Sequence, residues 1–163
     1  MRNICGQTWI PFRHSRLIPF EEELRHLEIY LRFEKMRFQE RLRIVYDIQA
    51  RGFMLPFLTV QPLVENAVKH GICKKPGGGT VVISTRELPD CIRITVSDDG
   101  VGFDTRERIE DGRSHIGIPN IRSRIESLSR GTLEITSARG TGTMAVIRLP
   151  RTGEGWDSEN TGD

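Results

Sequence analysis

The sequence predicts an α+β fold, a two-layer sandwich in which helices cover one face of a mixed, mostly antiparallel sheet. Three observations carry this prediction: an amphipathic pattern over 20–38, short runs of β-branched residues that come in pairs, and glycine- or proline-containing turns between them. The 163 residues, 37% apolar and 28% charged, suit one globular domain with its own core.

The first predicted element is an amphipathic helix that begins at Phe20 and ends near Phe38. Its acidic first turn suits the positive end of the helix dipole, and its apolar positions recur at steps of four, three and four: Phe20, Leu24, Leu27 and Leu31. Apolar and polar residues then alternate over 42–48, which predicts a strand with one buried face. That face would consist of Leu42, Ile44, Tyr46 and Ile48.

Pro56 predicts the start of a second helix that ends at Gly71, because proline suits a first helical position and glycine suits a C-terminal cap. Helical spacing directs four apolar residues to the core: Leu63, Val64, Ala67 and Val68. It gathers a carboxylate, an amide and two potential cations toward another side: Glu65, Asn66, Lys69 and His70. This cluster is the first candidate site in the chain.

The second half of the chain predicts a hairpin, a loop, a third helix and a final pair of strands. The hairpin strands cover 80–85 and 91–96 and follow a triple glycine. Residues 103–116 show neither helical nor strand periodicity and predict a mobile loop. Pro119 predicts a helix through about Ser129, strands follow near 132–138 and 142–149, and the polar residues 151–163 predict a disordered tail.

Composition and charge exclude several function classes. The net charge is only +2, and no basic block with interleaved aromatic residues is present, so nothing indicates binding to nucleic acid. No apolar run is long enough to span a bilayer, and residues 1–16 lack the apolar centre of a secretion signal. Cys5, Cys73 and Cys91 lack metal-ligand spacing and suit free thiols in a reducing compartment. The sequence therefore predicts a cytoplasmic domain.

Four short motifs, in order along the chain, resemble the nucleotide-binding boxes of the GHKL family of gyrase, heat-shock chaperone, histidine kinase and mismatch-repair ATPases. Residues 65–70 resemble the asparagine box, and residues 98–102, Asp-Asp-Gly-Val-Gly, resemble the first glycine box. Residues 117–120 resemble the second glycine box, and residues 140–143 resemble the terminal glycine-threonine box. Four boxes on suitable elements form a strong signal where each alone would be weak. The resemblance implies the Bergerat ATP-binding fold.

Further residues are similar to the LytS-type branch of bacterial sensor histidine kinases, and this resemblance covers about residues 17–150. The similar residues are Tyr30-Leu31, Arg37-Phe38, Pro56 and the run from Gln61 to Asn66. The resemblance implies an atypical segment over 1–16, an amphipathic helix over 17–40 left from a dimerisation stem, and a GHKL ATP-binding domain over 41–150. It also implies a membrane-anchored parent, a response regulator of the LytTR type as partner, and a homodimer formed through the N-terminal helix.

The resemblance implies that the glycine boxes hold the adenine of ATP. Asp98 would accept a hydrogen bond from the adenine amino group, which discriminates against guanine. Gly100 and Gly102 would let the ring approach the backbone, and the box that contains Gly142 and Thr143 would assist at the same edge, Thr143 through water. On spacing alone, an Asp-Asp-Gly sequence is equally typical of a turn.

The resemblance also implies that the asparagine box holds the metal and the reacting groups. Asn66 would supply a neutral oxygen to Mg²⁺, an ion that needs few protein ligands. Glu65 would orient or deprotonate the group that attacks the γ-phosphate. Lys69 and His70 would reach phosphate oxygens; without the boxes, Lys69 would be interpreted as a surface charge and His70 as a helix-end cap.

A third anion-binding element is implied by the second glycine box. Gly117 and Asn120 bracket a helix start, where free N–H groups and the dipole favour a β- or γ-phosphate. The loop 103–116 would then be a lid that nucleotide orders. Arg124, one turn further, would be either an additional cation or an exposed arginine without a specific role.

The sequence departs from the LytS-type pattern in two places. Those kinases carry their phosphoacceptor histidine in a Pro-His-Phe-Leu-Phe-Asn motif, which this sequence lacks, since His14 precedes Ser15 and His26 lies in Arg-His-Leu. The chain would then be a fragment that begins after the acceptor helix. The second glycine box has His115 and only Gly117 where many members have two glycines, which predicts a stiffer lid.

The leading interpretation is the ATP-binding catalytic domain of a LytS-type sensor histidine kinase that binds Mg-ATP. Two alternatives remain open on the sequence. One is a free-standing GHKL protein that hydrolyses ATP or phosphorylates a serine on a partner. The other is a nucleotide-sensing interaction module, in which the apolar stripe of the helix over 20–38 is exposed and docks a partner kinase.

Overall fold

The computed structural model describes residues 16–104 and 117–151 and contains a five-stranded sheet with strand order β2-β4-β5-β7-β6. The parallel pair is β2 with β4, and the other neighbours are antiparallel. The elements in chain order are β1 (Leu17–Pro19), α1 (Phe20–Phe38), a 3₁₀ turn (Gln39–Arg41), β2 (Leu42–Ile48), β3 (Met54–Pro56), α2 (Gln61–Asn66), a π-helical turn (Ala67–Ile72), β4 (Gly79–Glu87), β5 (Cys91–Asp98), α3 (Gly117–Ser129), β6 (Thr132–Ala138) and β7 (Gly142–Pro150).

The core lies between one face of this sheet and the layer of helices. Alternate residues of the strands are buried against the helices, such as Val81, Ile83, Ile94 and Ile147, whereas Met144 on the other face is 44% exposed. This arrangement confirms the predicted α+β sandwich with its helices on one face. Within the described ranges, no helix has both the length and the apolar composition that crossing a bilayer requires.

The apolar stripe of α1 packs into this core, so the open stripe expected for an interaction module is wrong. Its four members are between 0% and 5% exposed: Phe20, Leu24, Leu27 and Leu31. A second apolar row lies on the opposite side of the helix, where Ile29, Phe33 and Met36 are 54%, 65% and 71% exposed. The helical bounds agree with the sequence pattern, but the pattern did not indicate that α1 has two apolar rows.

The start and end predicted for the second helix are both wrong. Pro56 ends β3, which pairs antiparallel with β1, and α2 begins at Gln61 with Pro62 in its first turn. Proline's preference for a helix start is therefore met one segment later. The helix also continues past Gly71, because the chain widens into a π-helical turn in which the Cys73 N–H donates to the Val68 carbonyl at 2.9 Å.

Smaller differences affect β2 and α3. Burial along β2 falls from Leu42, 1% exposed, to Tyr46, 40% exposed, because β2 is an edge strand that the helices cover only in part. The helix α3 begins at Gly117, two residues before Pro119, and ends at Ser129 as predicted. The predicted hairpin is present as β4 and β5.

Several expectations fall on residues outside the described ranges. They concern Cys5, His14, most of the expected lid over 103–116 together with His115, and the tail over 152–163. The other two cysteines, Cys73 and Cys91, are free thiols, as the sequence predicts. The proposed division of the chain at residues 17, 41 and 151 stays a prediction.

Candidate functional site

A pocket lies between the π-helical turn after α2 and the ends of β5 and β7. It brings together five of the residues that the sequence singled out: Asn66, His70, Asp98, Gly102 and Thr143. Its wall also includes apolar residues from α2, the π-helical turn, β5, β6 and β7, of which all but the partly buried Ile135 are buried: Leu63, Ala67, Val96, Ile135 and Ala145. Residues distant in the sequence therefore form one concave surface with an apolar body and a few polar groups, the usual composition of a small-molecule site.

Asp98 is the charged group at the end of β5, and it is only 8% exposed. Its Oδ1 accepts a hydrogen bond from the Gly100 N–H at 2.9 Å. Burial raises the pKa of Asp98, while hydrogen bonds from the backbone of Gly100 and Thr143 act in the opposite direction. A largely buried carboxyl group with few protein donors is well suited to accept a hydrogen bond from a ligand.

Glycine backbones press closely around Asp98. A Cβ atom built on Gly71 would lie 2.5 Å from Asp98 Oδ1, and one on Gly100 would lie 2.4 Å from the Gly71 Cα. Gly142 has a φ of 92°, and a Cβ there would lie 1.9 Å from the Asp98 carbonyl oxygen. Any larger residue at these positions would displace the carboxylate or the strand that carries it. Gly71 thus belongs to the site, although its position in the sequence predicted only the end of a helix.

Thr143 faces Asp98 across the antiparallel β5 and β7 pair and lines the pocket. Its hydroxyl oxygen lies 3.0 Å from the Ser137 Oγ atom. Ser137 Oγ also donates to the Gly142 carbonyl at 2.9 Å and accepts from the Phe103 N–H at 3.0 Å. Ser137 therefore connects β6, β7 and the segment after Gly102, a role that a lone serine in a strand does not reveal in the sequence.

Glu65 at the end of α2 and Lys69 in the π-helical turn form an ion pair, and neither lines the described pocket. Lys69 Nζ lies 3.2 Å from Glu65 Oε2, and Gln61 Nε2 donates to Glu65 Oε1 at 3.0 Å. The Lys69 side chain is 53% exposed, so the pair adds little to stability. Asn66, the residue after Glu65, does lie on the pocket wall.

The second glycine box lies at the start of α3. Gly117 is its first residue, Ile118 lines the pocket, and Asn120 is exposed. Arg124 does not line the described pocket: its guanidinium donates to the carbonyls of two residues before α2. The expectation that Arg124 lies exposed without a specific role is therefore wrong, and its added charge at the phosphates stays a prediction.

Two further pocket residues, Lys74 and Phe103, received no individual role in the sequence analysis. Lys74 follows the π-helical turn, and Phe103 follows the first glycine box. The Lys74-Lys75 pair, directly between the asparagine box and the triple glycine, is the signal that could have drawn attention to Lys74. Phe103 becomes recognisable only when the folded chain brings it to the pocket wall.

The residues present fit a purine nucleotide with its metal. Apolar walls suit a flat ring, the recessed Asp98 and Thr143 suit its polar edge, and His70 and Lys74 place nitrogen donors in the same pocket. Among residues 16–104 and 117–151, no group of three or more histidine, cysteine, aspartate or glutamate residues could hold a metal ion by itself. A metal here would need phosphate and water ligands beside the Asn66 amide oxygen, which agrees with the habits of Mg²⁺.

Comparisons with known proteins agree with this geometry. Residues 55–153 match the family described as histidine kinase-, DNA gyrase B-, and HSP90-like ATPases. The sensor histidine kinase YpdA of Escherichia coli (strain K12) is 36% identical over 73% of this chain and 22% of its own length. The sensor protein LytS of Streptococcus mutans (serotype c) is 30% identical over 81% of this chain and 20% of its own length.

Among solved structures, the catalytic domain of the histidine kinase ThkA superposes with a TM-score of 0.65 at 14% identity, covering 85% of this chain and 97% of that domain. This likeness confirms the fold. The chain thus spans about a fifth of the length of the two sensor kinases named above. It belongs to the histidine kinase-, DNA gyrase B- and HSP90-like ATPase family, as a LytS-type GHKL ATPase domain.

Proposed function

We propose that this chain is the nucleotide-binding catalytic domain of a two-component sensor histidine kinase, and that its parent transfers the γ-phosphoryl group of Mg-ATP to a histidine. The observation that carries the proposal is Asp98, a carboxyl group 8% exposed at the base of an apolar pocket in a chain of this ATPase family. Such an acceptor favours adenine, whose amino group can donate to it, over guanine, which has at the equivalent position a carbonyl that cannot donate.

The phosphates would extend from this pocket toward Asn66 and the start of α3. When bound with the nucleotide, a magnesium ion would supply positive charge that offsets the charge of the phosphates. Asn66 would hold the metal through its amide oxygen, His70 and Lys69 would face phosphate oxygens, and the helix start at Gly117 and Asn120 would favour the terminal phosphates. Lys74 is a further candidate for this set, because it already lines the pocket.

Glu65 would orient the attacking imidazole, and its place supports this role. Its two oxygens are held by Lys69 and Gln61, which fixes the carboxylate on α2 next to Asn66. A carboxylate held in this way can accept a proton or a hydrogen bond from an incoming group without reorganising. The acceptor histidine would come from another segment of the parent, and the phosphoryl group would pass to a response regulator of the LytTR type.

The setting of the domain is also proposed. It would be the cytoplasmic part of a membrane-anchored parent, and two copies would associate through the N-terminal helix. The stripe first expected to form that contact is buried, so the contact would use the outer row of Ile29, Phe33 and Met36, the more exposed apolar side of α1.

Thermal unfolding with and without Mg-ATP tests the nucleotide site. A ligand at about a hundred times its dissociation constant adds roughly 2.7 kcal/mol to the free energy of unfolding. We expect a clear upward shift with ATP, a smaller one with GTP, and none in Asp98→Asn. Asp90→Asn, an exposed position at the other end of β5, serves as the matched control and should keep the shift. An unshifted wild type, or an equal shift in Asp98→Asn, would refute the site.

A measurement of phosphate release distinguishes a free-standing ATPase from a kinase domain. Phosphate release in proportion to protein concentration, without any acceptor and lost in Glu65→Ala, would favour hydrolysis. Stable ATP binding with no release of phosphate would favour the kinase domain, which then needs its acceptor histidine.

A further inference from the structure

The short segment between β3 and α2 is held by one charged residue from α1 and one from α3. Glu23 Oε1, on α1, accepts hydrogen bonds from the Val60 N–H at 2.5 Å and from the Gln61 N–H at 3.1 Å. Arg124, on α3, donates from Nη1 to the Phe57 carbonyl at 3.0 Å and from Nη2 to the Leu58 carbonyl at 2.8 Å. We call Glu23 and Arg124, with the segment 57–61 between them, the α1–α3 clamp.

Burying the charged side chains of the clamp costs free energy. Glu23 is 1% exposed, and among the described residues its Oε2 and the Nε of Arg124 are buried polar atoms without a hydrogen-bond partner. The opposite charges of the two side chains attract each other. An apolar pair in their place would avoid the desolvation cost, so the charged pair contributes specificity of arrangement more than stability.

The segment that the clamp holds is also locally strained. Leu58 has a φ of 56°, in the left-handed region that a leucine rarely adopts. Arg124 donates hydrogen bonds to the carbonyl before Leu58 and to the carbonyl of Leu58 itself, so it fixes the peptide groups on either side of this residue. Glu23 accepts from the first N–H groups at the start of α2. Since free N–H groups at a helix start require acceptors, Glu23 serves as the cap that α2 does not obtain from its own Val60.

The clamp holds the start of the helix that carries the proposed metal ligand. Asn66 lies five residues after Gln61, about 7.5 Å along the helix at 1.5 Å per residue. On α3, Ile118 of the pocket wall lies less than two turns before Arg124. A shift at residues 57–61 would therefore move Asn66 relative to the other wall of the pocket.

We infer that Glu23 and Arg124 are positioning residues that fix the start of α2 against α3 and thereby place Asn66 for the metal-bound nucleotide. Neither lines the described pocket. The inference rests on the proposed function, because it assigns the metal to Asn66. It adds to that proposal a pair of residues 101 positions apart that set the geometry of the site from outside it.

The test compares Glu23→Leu, which removes the cap, with Glu23→Gln, which retains an oxygen acceptor. The dissociation constant of ATP is measured with Mg²⁺ and with EDTA, and the ratio of the two gives the contribution of the metal. Loss of an outer positioning contact typically weakens metal binding by about tenfold or more, so we expect a loss of about that size in Glu23→Leu and recovery in Glu23→Gln. Ile92→Ala, a core change near the other end of β5, should leave the ratio unchanged.

Hydrogen exchange gives a second readout that does not depend on nucleotide. The amides of Val60 and Gln61 should lose protection in Glu23→Leu and keep it in Glu23→Gln and Ile92→Ala. If Glu23→Leu does not fold, Arg124→Lys is measured instead: lysine keeps the charge but not the two-carbonyl fork, so it should lower the metal contribution in the same direction.

The outcomes separate the clamp from the proposed function. A wild type that gains no affinity from Mg²⁺ refutes the role of Asn66, and the amide protection then decides the clamp by itself. A wild type that does gain affinity, with folded Glu23→Leu or Arg124→Lys gaining as much, refutes the positioning role. An equal loss in Ile92→Ala refutes it as well, because the effect would then reflect general destabilisation.

Discussion

In the hydrogen bond between Ser137 and Thr143, the Thr143 hydroxyl is the donor, because the other contacts of Ser137 leave its oxygen only as an acceptor. A serine hydroxyl has one proton, and that of Ser137 goes to the Gly142 carbonyl, which can only accept. Ser137 Oγ therefore accepts from Thr143 at 3.0 Å, as it does from the Phe103 N–H. The Thr143 hydroxyl can therefore accept a hydrogen bond from a ligand in the pocket but cannot donate one. Beside the Asp98 carboxylate, it presents a second acceptor to a ligand's donor group.

Removing the Ser137 hydroxyl should weaken this selection. In Ser137→Ala the Thr143 proton is free to turn into the pocket, so we expect a weaker preference for ATP over GTP and a loss of about 1 kcal/mol in the free energy of unfolding. Titration calorimetry with both nucleotides measures the preference. Thr141→Ala is the control: it removes a hydroxyl of the same hairpin whose only contact among those described is with the Ala138 carbonyl. This variant should keep the preference for ATP. Equal preferences in the two variants would contradict the assignment.

Gly71→Ala should abolish nucleotide binding in a chain that still folds. The added Cβ would lie 2.5 Å from Asp98 Oδ1, so the carboxylate must move out of its place beside Gly100. Binding of ATP is measured by calorimetry, and folding by circular dichroism. Gly52→Ala is the matched control, because a Cβ there meets no atom within 4 Å. Unchanged ATP affinity in Gly71→Ala would show that the position of Asp98 is not critical.

The two apolar rows of α1 should differ sharply in their effect on stability. Leu27 is fully buried, so Leu27→Ala should lower the free energy of unfolding by about 2–5 kcal/mol. Phe33 is 65% exposed, so Phe33→Ala should change it by less than about 0.5 kcal/mol. Urea unfolding of both variants at low concentration decides between them. A large loss in Phe33→Ala alone would mean that the outer row, and not the inner one, packs against the domain.

Glu23 should make stability depend on pH in a definite direction. Burial raises the pKa of Glu23 from 4.5 to about 7, although hydrogen bonds from Gln61 and Val60 lower it in part. Below pH 4.5 the group is protonated in both the folded and the unfolded chain and carries no cost. As pH rises from 4.5 to 7 the unfolded chain releases the proton first, so stability falls, by up to about 3 kcal/mol.

Urea unfolding of wild type and Glu23→Gln from pH 4.5 to 8 isolates this contribution, because other titrating groups cancel in the difference. The wild type should lose stability relative to Glu23→Gln across this range and then level off above pH 7. A difference that does not change with pH would mean that Glu23 titrates normally and is solvated.

Local patterns predicted most of the elements, because they depend on interactions between near neighbours in the chain. The period of α1 gave its bounds, and alternation with turn residues gave β2, the hairpin and the last two strands. The same patterns failed at Pro56, where pairing with Leu17 in the two-stranded sheet of β1 and β3 overrides proline's preference for a helix start. They also failed at Gly71, where the chain continues into a π-helical turn that lies close to Asp98.

For the candidate site, the boxes contain Asn66, His70, Asp98, Gly102 and Thr143, which lie on one pocket wall, while their roles stay predictions. They did not find Lys74, Phe103 or Ser137, whose side chains reach the site or its threonine only after distant strands come together. They also gave no role to Glu23, which the sequence places among three acidic residues in the first turn of α1. A helical period shows which side is apolar, but not that one acid on that side caps another helix.

The sequence by itself determined the fold class, most of the elements and the family, because periodicity and short motifs are properties of contiguous residues. Tertiary structure alone decided the exposed face of α1, the direction of the hydrogen bond from Thr143, and the partners of Glu23 and Arg124. These features depend on contacts between residues far apart in the chain, where burial fixes which donor meets which acceptor, and no local pattern records that choice.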